Sequence, residues 1–229
     1  MRRSARRIRV YVEVGAKRTF ATALDWPGWS RSGRDEAAAL ATLAAYGPRY
    51  ARAVAVAKLD FATPVDAAAF WIATRLKGST TTDFGAPDAA APGDDKPLKP
   101  KDLIRWLALL DACWRTFEHS LARAAGKTLA KGPRGGGRER DEIGWHVLEA
   151  QAAYLGRLGW PLKVDPRTPL AAELRRARDE SQAGLEAAVR GELPARGPRG
   201  GLRWTPRYFV RRAAWHLLDH AWEIEDRSA

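Results

Sequence analysis

The apolar residues of this chain repeat with one period up to about residue 90 and with another from residue 97 onward. No single-layer architecture accommodates both. Ile8-Arg-Val-Tyr-Val-Glu-Val14 alternates apolar and polar positions, the period of a strand. Gly15-Ala-Lys-Arg18 turns the chain, and Thr19 to Leu24 can return antiparallel. Asp25-Trp-Pro-Gly28 has turn residues in turn positions. Ser32 or Asp35 can cap a helix from Ala37 to Tyr46, which Gly47-Pro48 is expected to stop. Phe70 to Arg75 predicts a further strand. Thr80 to Asp95, rich in Thr, Gly, Pro and Asp, predicts a loop leading into a linker.

Beyond Pro97 the period lengthens. Leu103, Ile104, Trp106, Leu107, Leu110, Trp114, Phe117 and Leu121 fall largely at spacings of three and four, the stripe of a helix that buries one face. Gly126 ends it, and the basic, Gly-rich stretch Lys131 to Gly137 follows. A second helix begins at Arg140 or Asp141 and runs to Leu158, where Gly159-Trp-Pro161 breaks it. A third runs to about Arg190, with Thr168 as its expected cap and Pro169 in its first turn. A fourth starts at Pro206 and ends near Asp226. The fold class is therefore α+β. A small N-terminal mixed α/β domain over residues 1–96 is followed by a four-helix bundle over residues 97–229.

Composition narrows the function classes. With 45% hydrophobic and 29% charged residues, the chain can bury a core and is not wholly disordered. It has no apolar run of about 18 residues, so no transmembrane helix is expected. No apolar stretch follows the N-terminal arginines, so no secretory signal is read there. The single cysteine, Cys113, excludes an internal disulfide and reads as a small buried apolar residue. A cytoplasmic protein is expected. The net charge of +12 raises nucleic acid as a partner. However, five arginines lie in the first nine residues, and the 30 arginines against nine lysines fit a GC-rich genome equally well. Residues 2–7 read as a disordered basic tail. Ten tryptophans are explained by bulky core filling.

Of the four histidines, His216 and His220 stand four apart in Trp215-His-Leu-Leu-Asp-His-Ala-Trp222, which puts both rings on one helical face. His146 lies on another predicted helix, and a bundle lets a third imidazole point inward. Three imidazoles with a position left for water describe an open, catalytic type of metal site. The ring nitrogens are then expected within about 3–4 Å of one another, from bonds of ~2.1 Å to a common ion. Glu149 and Glu223, three residues after His146 and His220, could hold a histidine N–H or act as a base. Arg212, one turn before His216, could bind an anionic substrate group. Asp219 lies off the ligand face. His119 needs no more than solvent near a helix C-terminus.

The histidine order, with one on the second helix and a late H-x-x-x-H, resembles the DinB/YfiT-like superfamily of four-helix-bundle metal proteins. The tract Tyr208 to Asp226 and the stretch Lys131 to Arg138 carry the same likeness, which covers about residues 97–229. The resemblance implies ligands His146, His216 and His220 and a divalent ion, zinc or nickel. It also implies, for some members, S-transferase or isomerase chemistry with low-molecular-weight thiols such as mycothiol or bacillithiol. Tyr11 to Tyr46 is similar to HicB-like α/β modules, which bind a toxin or stabilise a dimer, but no DNA-binding helix-turn-helix or ribbon is appended. Two functions stay open. One is a metal-dependent thiol transferase or hydrolase whose partner is a small-molecule thiol or other substrate. The other is a non-catalytic binding or regulatory protein, contacting nucleic acid through its tail. A homodimer is compatible with either, and no membrane partner is expected.

Overall fold

The computed structural model describes residues 7–131 and 137–228. Residues 2–6 of the expected basic tail and most of the Gly-rich stretch before His146 lie outside them. The chain divides into two compact units, Met1–Gly93 and Asp94–Ala229, against the boundary at residue 96 expected from the sequence. Among the described residues no helix is long and apolar enough to cross a membrane.

The first unit is built on a mixed sheet of four strands: β1 (Ile8–Val14), β2 (Thr19–Ala23), β3 (Ser30–Gly33) and β4 (Phe70–Lys77), in the order β3-β2-β1-β4. β1 pairs antiparallel with β2 and parallel with β4, with a register shift between Val10 and Tyr11. β3 follows the Asp25–Gly28 turn and pairs antiparallel with β2. Its sequence, Ser-Arg-Ser-Gly, is polar and gives no strand signal, so these residues read as the approach to a helix cap. Helix α1 (Glu36–Ala45) is capped by Asp35, whose carboxylate accepts from the Ala38 amide at 2.8 Å.

α1 ends at Ala45, just before Gly47-Pro48 as expected, but the chain turns helical again at once. Gly47-Pro48 opens α2 (Gly47–Val54), because proline lacks the amide that a first turn leaves unbonded in any case. α2 delivers Tyr50 to the core. Its ring stacks on Trp29 at 5.5 Å, and its hydroxyl donates to Pro27 O at 2.9 Å. Trp29 is fully buried, and its indole N–H donates to Leu43 O. The expected loop after β4 holds one more short helix, α3 (Thr80–Phe84), set by a capping box between Ser79 and Thr82.

The second unit holds four long helices: α4 (Pro100–Arg123), α5 (Arg140–Leu158), α6 (Leu170–Val189) and α7 (Pro206–Arg227). Each packs chiefly against two others, in the cyclic order α4-α7-α5-α6. Pro100 and Pro206 stand in first turns, and Thr205 caps α7. Gly159, at φ 109°, closes α5 in the left-handed conformation that glycine adopts without penalty. Thr168 does not cap α6. The helix starts one residue later than expected, with Pro169 outside it and the Pro169 carbonyl accepting from the Ala172 amide at 2.8 Å. From Phe209 to Leu218 every residue of α7 is buried, which makes it the central helix of the unit. At the start of the unit, buried Asp94 accepts from Arg211 Nε of α7 at 2.7 Å.

Candidate metal centre

His216 and His220 project from one face of α7, and His146 meets them from α5. Their ring centroids are 4.6 Å apart within α7, and His146 lies 5.2 Å from His216 and 5.0 Å from His220. Each ring offers one nitrogen, and the three nitrogens lie within 4.8 Å of one another. That is looser than the 3–4 Å expected. The rings must close by roughly 1 Å to share bonds of ~2.1 Å, a movement within reach of a small χ change in each side chain. Among the described residues this is the one group of three or more His, Cys, Asp or Glu side chains placed to hold an ion.

Burial favours the neutral form of His146 and His216, the form that ligates. Burial pushes the His146 pKa down to about 4, and the neighbouring His220 and Arg138 add to the shift while Glu223 opposes it. His216 is 6% exposed, and burial holds its pKa well below the ordinary value, helped by His220, His146 and the charges of Arg212 and Arg138. Its Nδ1 is buried and has no hydrogen-bond partner. A buried ring nitrogen left unsatisfied costs about 1–3 kcal/mol, so it calls for an explanation that a ligand would supply.

Glu223 and Arg212 fall beside the histidines as the sequence suggested. Glu223 Oε2 lies 2.7 Å from His220 Nδ1, and Oε1 accepts from Arg227 Nη1 at 2.8 Å. The hydrogen bond from His220 is the largest cause of the lowered Glu223 pKa. Arg227 is itself tied to the segment before α5, donating from Nε to Ala130 O at 2.8 Å. Arg212 is 9% exposed, and its guanidinium carbon lies 5.6 Å from the Tyr154 ring and 5.1 Å from the Trp215 ring.

Glu149 is a correction. It is exposed on α5, and among the described residues no hydrogen bond or ion pair joins it to a histidine. The inward face of α5 at this level belongs to Val147 and Leu148, both fully buried. Asp219 is not part of the cluster, and His119 is exposed on α4. Cys113 is fully buried, and burial pushes its thiol pKa far up.

Two residues were missed. Tyr154 stands two turns after His146 on α5, with its ring 5.8 Å from that of His216 and 5.6 Å from the Arg212 guanidinium carbon. The spacing of eight was the available signal. Arg138 makes its charge felt at both His146 and His216; the sequence marked only the basic stretch that it closes, not a role for the residue. No known protein family, no curated protein and no solved structure matches this chain.

Proposed function

We propose that the second unit is a metal-dependent enzyme of the thiol-transferase, isomerase or hydrolase type, with a divalent ion held by His146, His216 and His220. The observation that carries this is the meeting of three imidazoles from two helices, one with a buried and unpartnered Nδ1. The donor set fits. Three neutral nitrogen ligands suit zinc or nickel and leave a coordination position for a reacting molecule. When bound, such an ion acts as a Lewis acid and lowers the pKa of a thiol or water brought to it.

The chain's own groups have separable tasks. Glu223 engages His220 Nδ1, which leaves Nε2 as that ring's donor. Arg227 holds Glu223 ionised and in place. Arg212 and Tyr154 stand beside His216, where a substrate group can be oriented. Cys113, buried on α4, is no candidate nucleophile, so thiol chemistry here requires an external thiol. The cyclic packing of α4 to α7 supports reading the unit as the DinB/YfiT-like bundle that its sequence resembles. The first unit we read as an interaction module. Its support is the succession of β1, β2 and β3 and the capped helix α1 over the HicB-like stretch Tyr11 to Tyr46.

Elemental analysis of protein purified without a histidine tag tests the proposal. About one equivalent of zinc or nickel per chain is expected, lost when His216 is replaced by Ala. Metal-free protein that takes up neither ion would turn the reading to the non-catalytic binding protein.

A further inference from the structure

We propose that Arg212 and Tyr154 form an anion subsite beside the histidine cluster, and that the small molecule acted on there carries a carboxylate. The inference rests on the metal-dependent reading of the cluster and names its substrate class.

The argument starts from placement. α7 carries His216 with Arg212 one turn before it, and α5 carries His146 with Tyr154 two turns after it. The two helices that converge the imidazoles therefore also converge a guanidinium and a phenol. The Tyr154 ring lies 5.8 Å from the His216 ring, and the Arg212 guanidinium carbon lies 5.6 Å from the Tyr154 ring.

Hydrogen-bond chemistry comes next. Arg212 cannot lose its proton, and a guanidinium presents several N–H groups in a planar fork. Burial pushes the Tyr154 pKa up, so the hydroxyl keeps its hydrogen and can donate it, and the Arg212 guanidinium carbon stands 5.6 Å from the ring. A guanidinium N–H and a phenol O–H side by side match the two oxygens of a carboxylate.

The local field points the same way. The positive charges of Arg212 and Arg138 both reach His216, and a divalent ion would add to them. The opposing charge of Glu223 is balanced by Arg227, which donates to its Oε1 at 2.8 Å. The wall beyond Tyr154 is aromatic, with Trp204 at 5.2 Å from Tyr154 and Tyr208 at 4.8 Å from Trp204. A flat organic body fits such a wall.

Calorimetric titration with benzoate and with benzamide, its neutral analogue, tests the subsite on the full chain. Both ligands are run on metal-free and on cobalt-loaded protein. Benzoate is expected to bind at least about ten-fold more tightly than benzamide, as a charge-assisted pair requires. R212M should weaken benzoate at least about ten-fold and Y154F about three-fold, with cobalt uptake of both variants within about two-fold of the parent. Equal affinity for benzoate and benzamide, no benzoate binding to the parent, or an unchanged benzoate affinity in R212M would each overturn the subsite. Should R212M fail to fold, Y154F and the benzoate-to-benzamide ratio decide the matter. Failure of the parent to take up cobalt overturns the metal reading alone, because the titrations of metal-free protein still report on Arg212.

Discussion

His220 Nδ1 lies 2.7 Å from Glu223 Oε2, and both residues belong to α7. One turn of helix thus supplies a candidate ligand and the carboxylate that fixes its tautomer. Carboxylates in this position orient a ligating imidazole and raise its basicity, and their loss typically lowers metal affinity 10–100-fold. Glu223→Gln keeps the shape and an acceptor for Arg227 but removes the charge. Competition with a chromophoric chelator should show a loss of about ten-fold or more. Unchanged affinity would separate Glu223 from the ligand set.

Metal binding should appear as stability. A ligand that binds only the folded chain adds RT ln(1 + [L]/Kd), about 2.7 kcal/mol at one hundred times Kd. Zinc added to metal-free protein is therefore expected to raise the melting temperature by several degrees. His216→Ala should abolish that rise, while His119→Ala, which alters an exposed residue, should preserve it. A rise of the same size in His216→Ala would place the ion elsewhere.

Acid should destabilise the metal-free protein through its histidines. In the folded chain the His146 pKa is near 4 and that of His216 is well below its ordinary value, both chiefly through burial. In the unfolded chain both titrate near 6.5. Between these values the unfolded state binds more protons, so stability rises with pH. The histidine contribution is intact above about pH 6.5 and is lost progressively as the pH falls toward 4. His146→Gln should flatten the pH dependence of the melting temperature across that window. An unaltered slope would show that His146 titrates normally.

How much of this was legible in the sequence depends on how local the cause is. β1 runs from Ile8 to Val14 as its alternation indicated, and α7 starts at Pro206 as expected because the chemistry of a first-turn proline is local. His216 and His220 were legible from a spacing of four, and Glu223 from a spacing of three. Glu13 was not. In an alternating strand it reads as a solvent-facing residue, yet it is fully buried and accepts from Thr82 Oγ1 and from the amides of Asp88 and Ala89. Its partners are some 70 residues away, and no pattern in a short window encodes them. Glu149 failed for the opposite reason. Its spacing from His146 was right, but which flank of α5 faces inward is decided by packing against α6 and α7.

Cys113 should be silent toward thiol reagents in the native protein. Its side chain is fully buried, and burial disfavours the thiolate, the species that reacts. Ellman's reagent is expected to report almost no thiol in buffer and about one equivalent after unfolding in guanidinium. Rapid native reaction would mean that α4 opens locally, and would make Cys113 a candidate nucleophile.

The α5–α6 junction offers a paired test of packing. Gly184 is buried on α6, and a Cβ built there would lie 2.8 Å from Cγ and 3.0 Å from Cβ of Trp160. Those atoms sit at the base of the tryptophan, where side-chain rotation gives little relief. The indole is also pinned, because its N–H donates to Glu180 Oε2 at 2.6 Å. Alanine gains about 1 kcal/mol over glycine in helix propensity. Overpacking a filled contact costs ~1–3 kcal/mol. The cost should win, so Gly184→Ala is expected to lower the melting temperature. Gly156 on α5 is the control, since a Cβ there would meet nothing within 4 Å. With propensity alone in play, Gly156→Ala should raise the melting temperature by a few degrees. If both variants were stabilised, Trp160 would be free to move, and the junction between α5 and α6 would be looser than its contacts imply.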